Sequence, residues 1–225
     1  MESVERMDER EDLLSQVEAN GSLTDPLVEE AMLAVPRHVF VPEAMEDMAY
    51  DDRPLPIGFD QTISAPHMVA QMTCALQLEP GHKVLEIGSG VGYQAAVLAA
   101  VTGVTVHTIE YLPELAECAR QNLAGIGADV QVHVGDGYDG WPDESPFEAI
   151  LITCAVPQVP PTLAGQLKKG GHLVAPLGVT RCELMVARKL DGRLEKEYIA
   201  PCLFVNAQGR LGRPGPDDAA VTAMP

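Results

Sequence analysis

Residues 84–93 read Val-Leu-Glu-Ile-Gly-Ser-Gly-Val-Gly-Tyr, an apolar strand followed by a turn with glycine at every second position and then by a helix. Gly88, Gly90 and Gly92 have no Cβ atom, so the turn can bend sharply and its backbone can lie against a ligand. Glu86 enters the same turn as a hydrogen-bond acceptor. The pattern predicts a nucleotide-binding turn, and the alternative is an ordinary glycine turn of an α/β protein.

Charge and glycine spacing indicate which nucleotide this turn binds. Dinucleotide folds use G-x-G-x-x-G to place a pyrophosphate at a helix N-terminus, where an acidic side chain opposes the phosphates. The pattern in this chain is E-x-G-x-G-x-G, which favours a cationic ligand without a diphosphate. S-adenosylmethionine, with its ammonium and sulfonium groups, meets both conditions.

Two more acidic residues follow the next two predicted strands. Glu110 follows the strand at 104–109, where a carboxylate can accept hydrogen bonds from both hydroxyls of a ribose, although an acid at a helix N-terminus is the alternative. Asp136 follows the strand at 130–134 and is predicted to bind the adenine amine, although it is also a common turn residue. Because ligands of open α/β sheets bind outside the carboxyl ends of strands, we expect Glu86, Glu110 and Asp136 to converge.

Composition restricts the class of protein. The chain has 225 residues, of which 46% are hydrophobic, enough for one domain with a full core. Its net charge of −18 opposes nucleic-acid binding, and it reflects either a solvated acidic surface or adaptation to a salt-rich cytoplasm. The chain has no long apolar run, no secretory signal and no C-x-x-C pair among its five cysteines. We therefore expect a cytoplasmic protein without a metal, nucleic-acid or membrane partner.

The predicted elements are helices at the N-terminus, followed by strands that alternate with helices. Apolar residues at helical spacing predict a helical N-terminal extension over about 1–50. Seven strands follow, and the turn Asp191-Gly192 joins the last two as an antiparallel hairpin. The predicted strands are 83–87, 104–109, 130–134, 147–153, 171–176, 183–189 and 196–205. The fold class is therefore α/β and Rossmann-like, a mostly parallel seven-stranded sheet with antiparallel terminal strands and helices on both faces.

The domain boundaries follow from composition. We expect a single domain over residues 1–208, which includes the N-terminal extension. The tail at 209–225 is rich in Gly, Pro, Ala and Asp, a composition that predicts disorder.

A segment before the first predicted strand contains another candidate site. Residues 54–68 read Pro-Leu-Pro-Ile-Gly-Phe-Asp-Gln-Thr-Ile-Ser-Ala-Pro-His-Met, a predicted loop that leads into a helix from Met68 to Leu78. Ser64 lies where a helix N-cap is expected, with Pro66 in the first turn, so a purely structural role is one interpretation.

This loop resembles the signature loop of the protein-L-isoaspartate O-methyltransferases, a family of class I S-adenosylmethionine-dependent methyltransferases. The resemblance covers roughly residues 26–205 and includes 85–93, Gly135-Asp136-Gly137, 155–157 and 167–178. It implies methyl transfer to the free α-carboxyl of L-isoaspartyl residues in damaged proteins and peptides. The methyl ester then closes to a succinimide, whose hydrolysis restores some normal aspartate.

The resemblance also implies roles for individual residues. Ser64 matches the active-site serine, which would orient the substrate, since a carboxylate ionised near pH 7 needs no general base. The residues that match the cofactor site are Thr62, Ile63, His67, Glu86, Gly88, Ser89, Gly90, Gly92, Glu110, Tyr111, Asp136 and Gly137. Those that match the substrate site are Ile57, Gly58, Thr153, Ala155, Val156 and Pro157. His67 has the alternative of a solvated helix residue.

Two segments depart from the family pattern. Residues 201–206 replace the usual last strand, and residues 178–182 lack the customary glutamine. Both lie where the resemblance implies peptide binding. Two other functions therefore stay open: methylation of aspartate in a dedicated partner peptide, and noncatalytic binding of damaged or acidic segments. A monomer is the favoured oligomeric state.

Overall fold

The computed structural model describes residues 6–101, 103–179 and 181–213. Its helices are α1 (Met7–Ala19), α2 (Pro26–Ala34), α3 (Pro66–Ala75), α4 (Tyr93–Ala100), α5 (Pro113–Ile126) and α6 (Pro161–Gln166). Its strands are β1 (Leu55–Gly58), β2 (Gln61–Ile63), β3 (Lys83–Ile87), β4 (Thr105–Glu110), β5 (Val130–Val134), β6 (Phe147–Ile152), β7 (Leu167–Leu177), β8 (Cys182–Leu190) and β9 (Arg193–Cys202). Short 3₁₀ helices cover Arg37–Phe40, Glu43–Met48, Gly137–Asp139 and Pro142–Glu144.

The main sheet has seven strands in the order β5-β4-β3-β6-β7-β8-β9. Strands β3 to β7 pair in parallel, and β8 and β9 add two antiparallel pairings at one edge. The predicted fold class is confirmed. Strand β9 ends at Cys202 instead of at residue 205, because the chain then turns back and residue Asn206 forms a bridge with Ala155 beside the parallel strands.

The segment predicted as a loop before α3 contains a small antiparallel hairpin of β1 and β2. Its strands have four and three residues, too few for an alternating pattern to be recognised. The chain reverses at Gly58, Phe59 and Asp60, whose φ angles are 87°, 53° and 55°. The helix predicted from Met68 begins at Pro66 and ends at Ala75.

The N-terminal helices α1 and α2 pack against each other and against α3 and α4, and most of the apolar residues predicted by helical spacing are buried, although Leu27 is exposed. Leu13, Leu14 and Val17 of α1 are buried, as are Val28, Ala31 and Met32 of α2. They belong to the same core cluster as the central residues of α4 and β3. Burial of one such side chain stabilises the fold by about 1.5–3 kcal/mol relative to exposure. No helix in the described ranges is long and apolar enough to cross a membrane.

The C-terminal segment differs from its prediction. Residues 209–213, which were expected to be disordered, pack on the carboxyl end of the sheet. Leu211 is only 4% exposed and joins a core cluster with Ile87 and Val156. Arg210 forms ion pairs with Asp136 and Asp139. These two anchors are single residues in a Gly- and Pro-rich stretch, so composition alone hides them. Residues 214–225 lie outside the described part of the chain.

Candidate active site

The glycine turn between β3 and α4 is held by backbone hydrogen bonds. Gly88, Gly90 and Gly92 have φ angles of 99°, 52° and 94°, in the left-handed region that glycine adopts at least cost. The Gly88 N–H donates to the carbonyl of Ile109 on β4 at 2.8 Å. A Cβ atom on Gly88 would lie 2.5 Å from Oγ1 of Thr153, so the backbone approaches β6 as only glycine permits.

Glu110 joins this turn to the end of β4. Its Oε2 accepts a hydrogen bond from the Gly90 N–H at 2.8 Å, and its Oε1 accepts one from the Leu112 N–H at 3.0 Å. Burial raises the pKa of Glu110, and these backbone hydrogen bonds act in the opposite direction. The side chain also lines the central cavity described below. Glu110 therefore both supports the turn and presents an acceptor to a ligand.

Glu86 is fully buried beneath the glycine turn. Its Oε2 accepts a hydrogen bond from the Thr108 hydroxyl at 2.5 Å, and its Oε1 has no hydrogen-bond partner. Burial raises the pKa of Glu86 to about 8, with a further contribution from the nearby Glu110. The buried Ser89 hydroxyl also has no partner. Unsatisfied buried polar atoms are rare in folded proteins, so the two atoms fit a neighbouring polar ligand. Ser89 lines the central cavity described below, whereas Glu86 does not.

The carboxylate of Asp136 does not line the central cavity described below. It accepts hydrogen bonds from the backbone N–H groups of Tyr138 and Arg210 at 3.0 and 2.9 Å. Burial opposes ionisation of Asp136, but the hydrogen bonds from Arg210 and Tyr138 outweigh it and lower its pKa. The structure thus brings Glu86 and Glu110 together, whereas Asp136 contacts the C-terminal segment instead of completing the expected cluster. The adjacent Gly137 does line the cavity.

The central cavity lies at the carboxyl ends of β3, β4 and β6. The predicted residues that line it are Ile57, Thr62, Ile63, Ser64, Gly88, Ser89, Gly90, Glu110, Tyr111, Gly137 and Thr153. Its volume is about 90 Å³, whereas small-molecule sites typically have roughly 300–1,000 Å³. The cavity is narrow because residues 205–208 and Leu211 form its outer wall.

Several lining residues were missed by the sequence interpretation. Those contributed by the C-terminal segment are near the cavity only because the chain turns back after β9. Gln61, Tyr93, Gln94 and Cys154 also line it. Gln61 and Tyr93 lie in the two sequence motifs quoted above, next to residues that were predicted to bind ligands. These two lining residues could therefore have been predicted from the sequence.

A second concavity, the Ser64 groove, lies on the other side of Ser64 and has a volume of about 480 Å³. The cavity and the groove share Thr62, Ser64, Thr153 and Val205. The rest of the groove is lined by Pro54, Ala65, His67, Met68, Arg181, Cys182, Pro201, Cys202, Leu203 and Phe204. Ser64 therefore lies at the junction of two spaces.

The structure does not support the interpretation of Ser64 as a helix cap. The N-cap of α3 is Ala65, and no side chain caps this helix. Within the described ranges, the Ser64 hydroxyl has no hydrogen-bond partner. It is therefore available to a ligand at the junction.

The other predicted residues lie outside the central cavity. His67 faces the groove, where its Nδ1 lies 2.9 Å from Oδ1 of Asp52. Gly92 is the N-cap of α4 and packs against α5. Of the predicted substrate residues, Gly58 is exposed, and the remaining three follow β6: Ala155, Val156 and Pro157. Ala155 and Val156 are buried, because both form bridges to other backbone segments.

A mostly parallel, Rossmann-like sheet with a glycine turn after β3 and an acid at the end of β4 is the fold of an S-adenosylmethionine-dependent methyltransferase. Residues 8–212 match the sequence model of a family described as Protein-L-isoaspartate(D-aspartate) O-methyltransferase. The chain belongs to this family, as the resemblance of its motifs implied.

Individual relatives agree with this assignment. A protein-L-isoaspartate O-methyltransferase of Hyperthermus butylicus is 45% identical over 216 residues, covering 90% of each chain. One of Methanopyrus kandleri is 47% identical, covering 92% of this chain and 95% of the relative.

Solved structures are similar as well. A protein-L-isoaspartate O-methyltransferase superimposes with a TM-score of 0.84 at 33% identity, covering 90% of this chain and 67% of the other. A candidate enzyme of this kind from Plasmodium falciparum, in complex with S-adenosyl-L-homocysteine, has a TM-score of 0.78 at 24% identity. It covers 88% of this chain and 98% of the other, and it shares the fold.

Proposed function

We propose that this protein methylates the free α-carboxylate of L-isoaspartyl residues in damaged proteins and peptides, with S-adenosylmethionine as the methyl donor. The observation that carries the proposal is the position of Ser64, which lies between a cavity beside the glycine turn and an open groove. A donor in the cavity and a peptide in the groove would meet at this residue. Family membership supports the same reaction.

The cofactor is assigned to the central cavity. S-adenosylmethionine supplies a methyl group activated by a sulfonium centre. Glu110 is proposed to accept hydrogen bonds from its ribose, and the backbone of Gly88 and Gly90 to lie against its methionine end. Glu86 is mostly protonated near pH 7 in the absence of a ligand, and a cationic group bound beside it would favour its ionised form. The remaining proposed cofactor contacts that line the cavity are Thr62, Ile63, Ser89, Tyr111 and Gly137, whereas His67, Gly92 and Asp136, which the sequence also predicted, do not line it.

The substrate peptide is assigned to the groove. An isoaspartyl carboxylate is ionised near neutrality and needs no general base, so the protein's task is to align it and to exclude water. Ser64 is proposed to orient the carboxylate through its free hydroxyl. Good alignment of two reactants contributes roughly 7–11 kcal/mol to lowering a barrier. Arg181 is exposed on the groove wall and places positive charge where an anionic substrate enters. Thr153 lines both spaces and is proposed to contact both ligands, whereas Ile57, which the sequence also predicted for the substrate, lines only the cavity.

One alternative activity is supported by a specific observation. Residues 201–205, which depart from the family pattern, line the groove. A changed groove wall favours a changed peptide preference, such as aspartate in a dedicated partner peptide.

Paired peptides test the proposal. The protein is incubated with methyl-labelled S-adenosylmethionine and an isoaspartyl peptide, and the same reaction is run with its aspartyl twin. We expect label in the isoaspartyl peptide only. Equal labelling of the twins would support the alternative activity, and no labelling with intact S-adenosylhomocysteine binding by calorimetry would make the protein a binding module.

The proposal also covers location and assembly. We propose a monomer that acts in the cytoplasm, and the location is supported by the scattered spacing of the five cysteines, which include no C-x-x-C pair. Analytical ultracentrifugation of the purified protein tests the monomer, and a sedimentation coefficient of a dimer would contradict it.

A further inference from the structure

Two cysteines lie directly opposite each other at the end of the antiparallel edge of the sheet. Cys182 begins β8, Cys202 ends β9, and the two residues are partners in the register. Directly opposite residues of an antiparallel pair project from the same face. Their Cα atoms are about 4.5 or 5.5 Å apart, depending on the type of pair. Both values fall within the range of about 4.4–6.8 Å that a disulfide requires.

Both cysteines line the Ser64 groove. They are 4% and 8% exposed, and Phe204 lines the same groove. The two cysteines are free in the structure. A small molecule in the groove therefore reaches a preformed dithiol.

We propose that Cys182 and Cys202 are a disulfide-forming site, at which a low-molecular-weight disulfide that enters the groove is reduced and the two cysteines become linked. The inference rests on the register and on the groove, and it does not depend on the methyl-transfer reaction.

The chemistry balances in two exchanges. One cysteine loses its proton to solvent, and its thiolate attacks a sulfur of the oxidant, so that a mixed disulfide forms and one thiolate leaves. The second cysteine, also deprotonated, attacks the protein sulfur of the mixed disulfide. The Cys182–Cys202 bond forms, the second oxidant thiolate leaves, and the two released thiolates take up the two protons. The two cysteines are oxidised by two electrons and the oxidant is reduced by two.

Formation of the Cys182–Cys202 disulfide leaves the groove open. A mixed disulfide on one cysteine fills the groove with the oxidant's half, whereas the linked pair occupies no more space than the two thiols did. The second cysteine thus clears an adduct from the wall of the groove. Burial raises the pKa of Cys202 to about 11, so this thiol is mostly protonated near neutrality and reacts slowly. We therefore expect the disulfide to form over hours of exposure to the oxidant and not within seconds.

Peptide mapping tests the linkage. The exposed Cys118 is first changed to serine, so that its reaction does not obscure the result. The protein is incubated for hours with oxidised glutathione, free thiols are blocked, and trypsin is added. Cleavage after Arg181, Arg188, Lys196 and Arg210 leaves each cysteine alone in its own peptide. We expect peptides 182–188 and 197–210 to be recovered as one linked species. Two separately blocked peptides, or a link between chains, would overturn the proposal.

Single variants test the clearing step. In Cys182→Ser and Cys202→Ser, the remaining cysteine has no partner, so a glutathione adduct should persist at least roughly tenfold longer than in the protein with both cysteines. Circular dichroism establishes that the variants are folded. If adducts decay at the same rate with and without the partner, the proposal fails. Both experiments measure peptide or protein masses, so they test the disulfide even if the protein shows no methyltransferase activity.

Discussion

Glu86 illustrates how a single buried residue links stability to pH. Burial raises the pKa of its carboxyl from 4.5 to about 8, so between these values the folded protein holds a proton that the unfolded chain has released. The contribution of Glu86 to the free energy of unfolding is therefore largest below the unfolded value and falls as the pH rises towards the folded one.

The first prediction is that Glu86→Gln reduces this dependence on pH. The free energy of unfolding should fall less steeply for the variant than for the parent protein between about pH 4.5 and about pH 8, because glutamine does not titrate. Urea denaturation at several pH values measures it. Parallel profiles for the two proteins would show that Glu86 is ionised in the native state across this range.

Ser64 is the other residue on which the proposed reaction depends. Because its hydroxyl lies at the junction and caps no helix, Ser64→Ala should lower kcat by on the order of tenfold to a hundredfold through loss of alignment. Affinity for S-adenosylhomocysteine should change little. Steady-state kinetics and calorimetry measure the two effects.

Ser15→Ala is a matched control for that variant. Ser15 is exposed on α1, so its removal should alter neither quantity. A Ser64→Ala variant that keeps full activity, or one that loses affinity for S-adenosylhomocysteine, would remove the proposed role of the hydroxyl.

At the scale of the elements, the segment at 203–213 closes the carboxyl end of the sheet. Ala155 donates a backbone hydrogen bond to Val205 at 2.8 Å and accepts one from Ala207 at 2.9 Å. Leu211 is buried against the sheet, and Arg210 contacts the two aspartates of the neighbouring turn. Because a nucleoside needs more room than a cavity of about 90 Å³ provides, we expect this segment to shift when the cofactor binds.

Arg210→Ala should therefore accelerate cofactor exchange. The guanidinium is exposed and its ion pairs are screened by water, so we expect only a roughly two- to fivefold rise in the dissociation rate of S-adenosylhomocysteine. Stopped-flow displacement measures this rate. Arg213→Ala is the control, since Arg213 forms no ion pair within the described ranges. Equal rates in both variants would mean that the ion pairs of Arg210 do not hold the segment closed.

At the scale of the whole molecule, the N-terminal helices and the sheet share one core cluster. We expect residues 1–208 to unfold as a single domain in one cooperative transition. Far-UV circular dichroism reports on the helices, and the fluorescence of Trp141, the only tryptophan, reports on the end of the sheet near β6. The two signals should change together in urea. Separate midpoints would divide the chain into two independently folding units.

Net charge also acts on the molecule as a whole. A charge of −18 destabilises the compact state through self-repulsion, and salt screens this repulsion. The melting temperature should therefore rise with added sodium chloride from low ionic strength. A melting temperature that stays constant or falls would show that local ion pairs outweigh the net charge.

Much of this architecture could be predicted from the sequence. The seven sheet strands, the antiparallel edge and the glycine turn follow from hydrophobic periodicity and turn residues, which are local properties of the chain. The position of Glu110 beside that turn also follows, because the carboxyl ends of neighbouring parallel strands meet. The β1–β2 hairpin could not be predicted, since its strands are too short to show a period.

The sequence by itself determined the class of fold, the family and the residues of the glycine turn, because these depend on patterns between near neighbours. Only the tertiary structure decided that Asp136 contacts Arg210, that Ser64 stands between a cavity and a groove, and that Cys182 faces Cys202. These contacts join residues that are distant in the chain. The first two arrangements depend on the segment after β9, which turns back across the sheet, and local preferences carry no information about where such a segment packs. The third depends on the register of β8 on β9, which shifts at an irregularity between Leu184 and Met185.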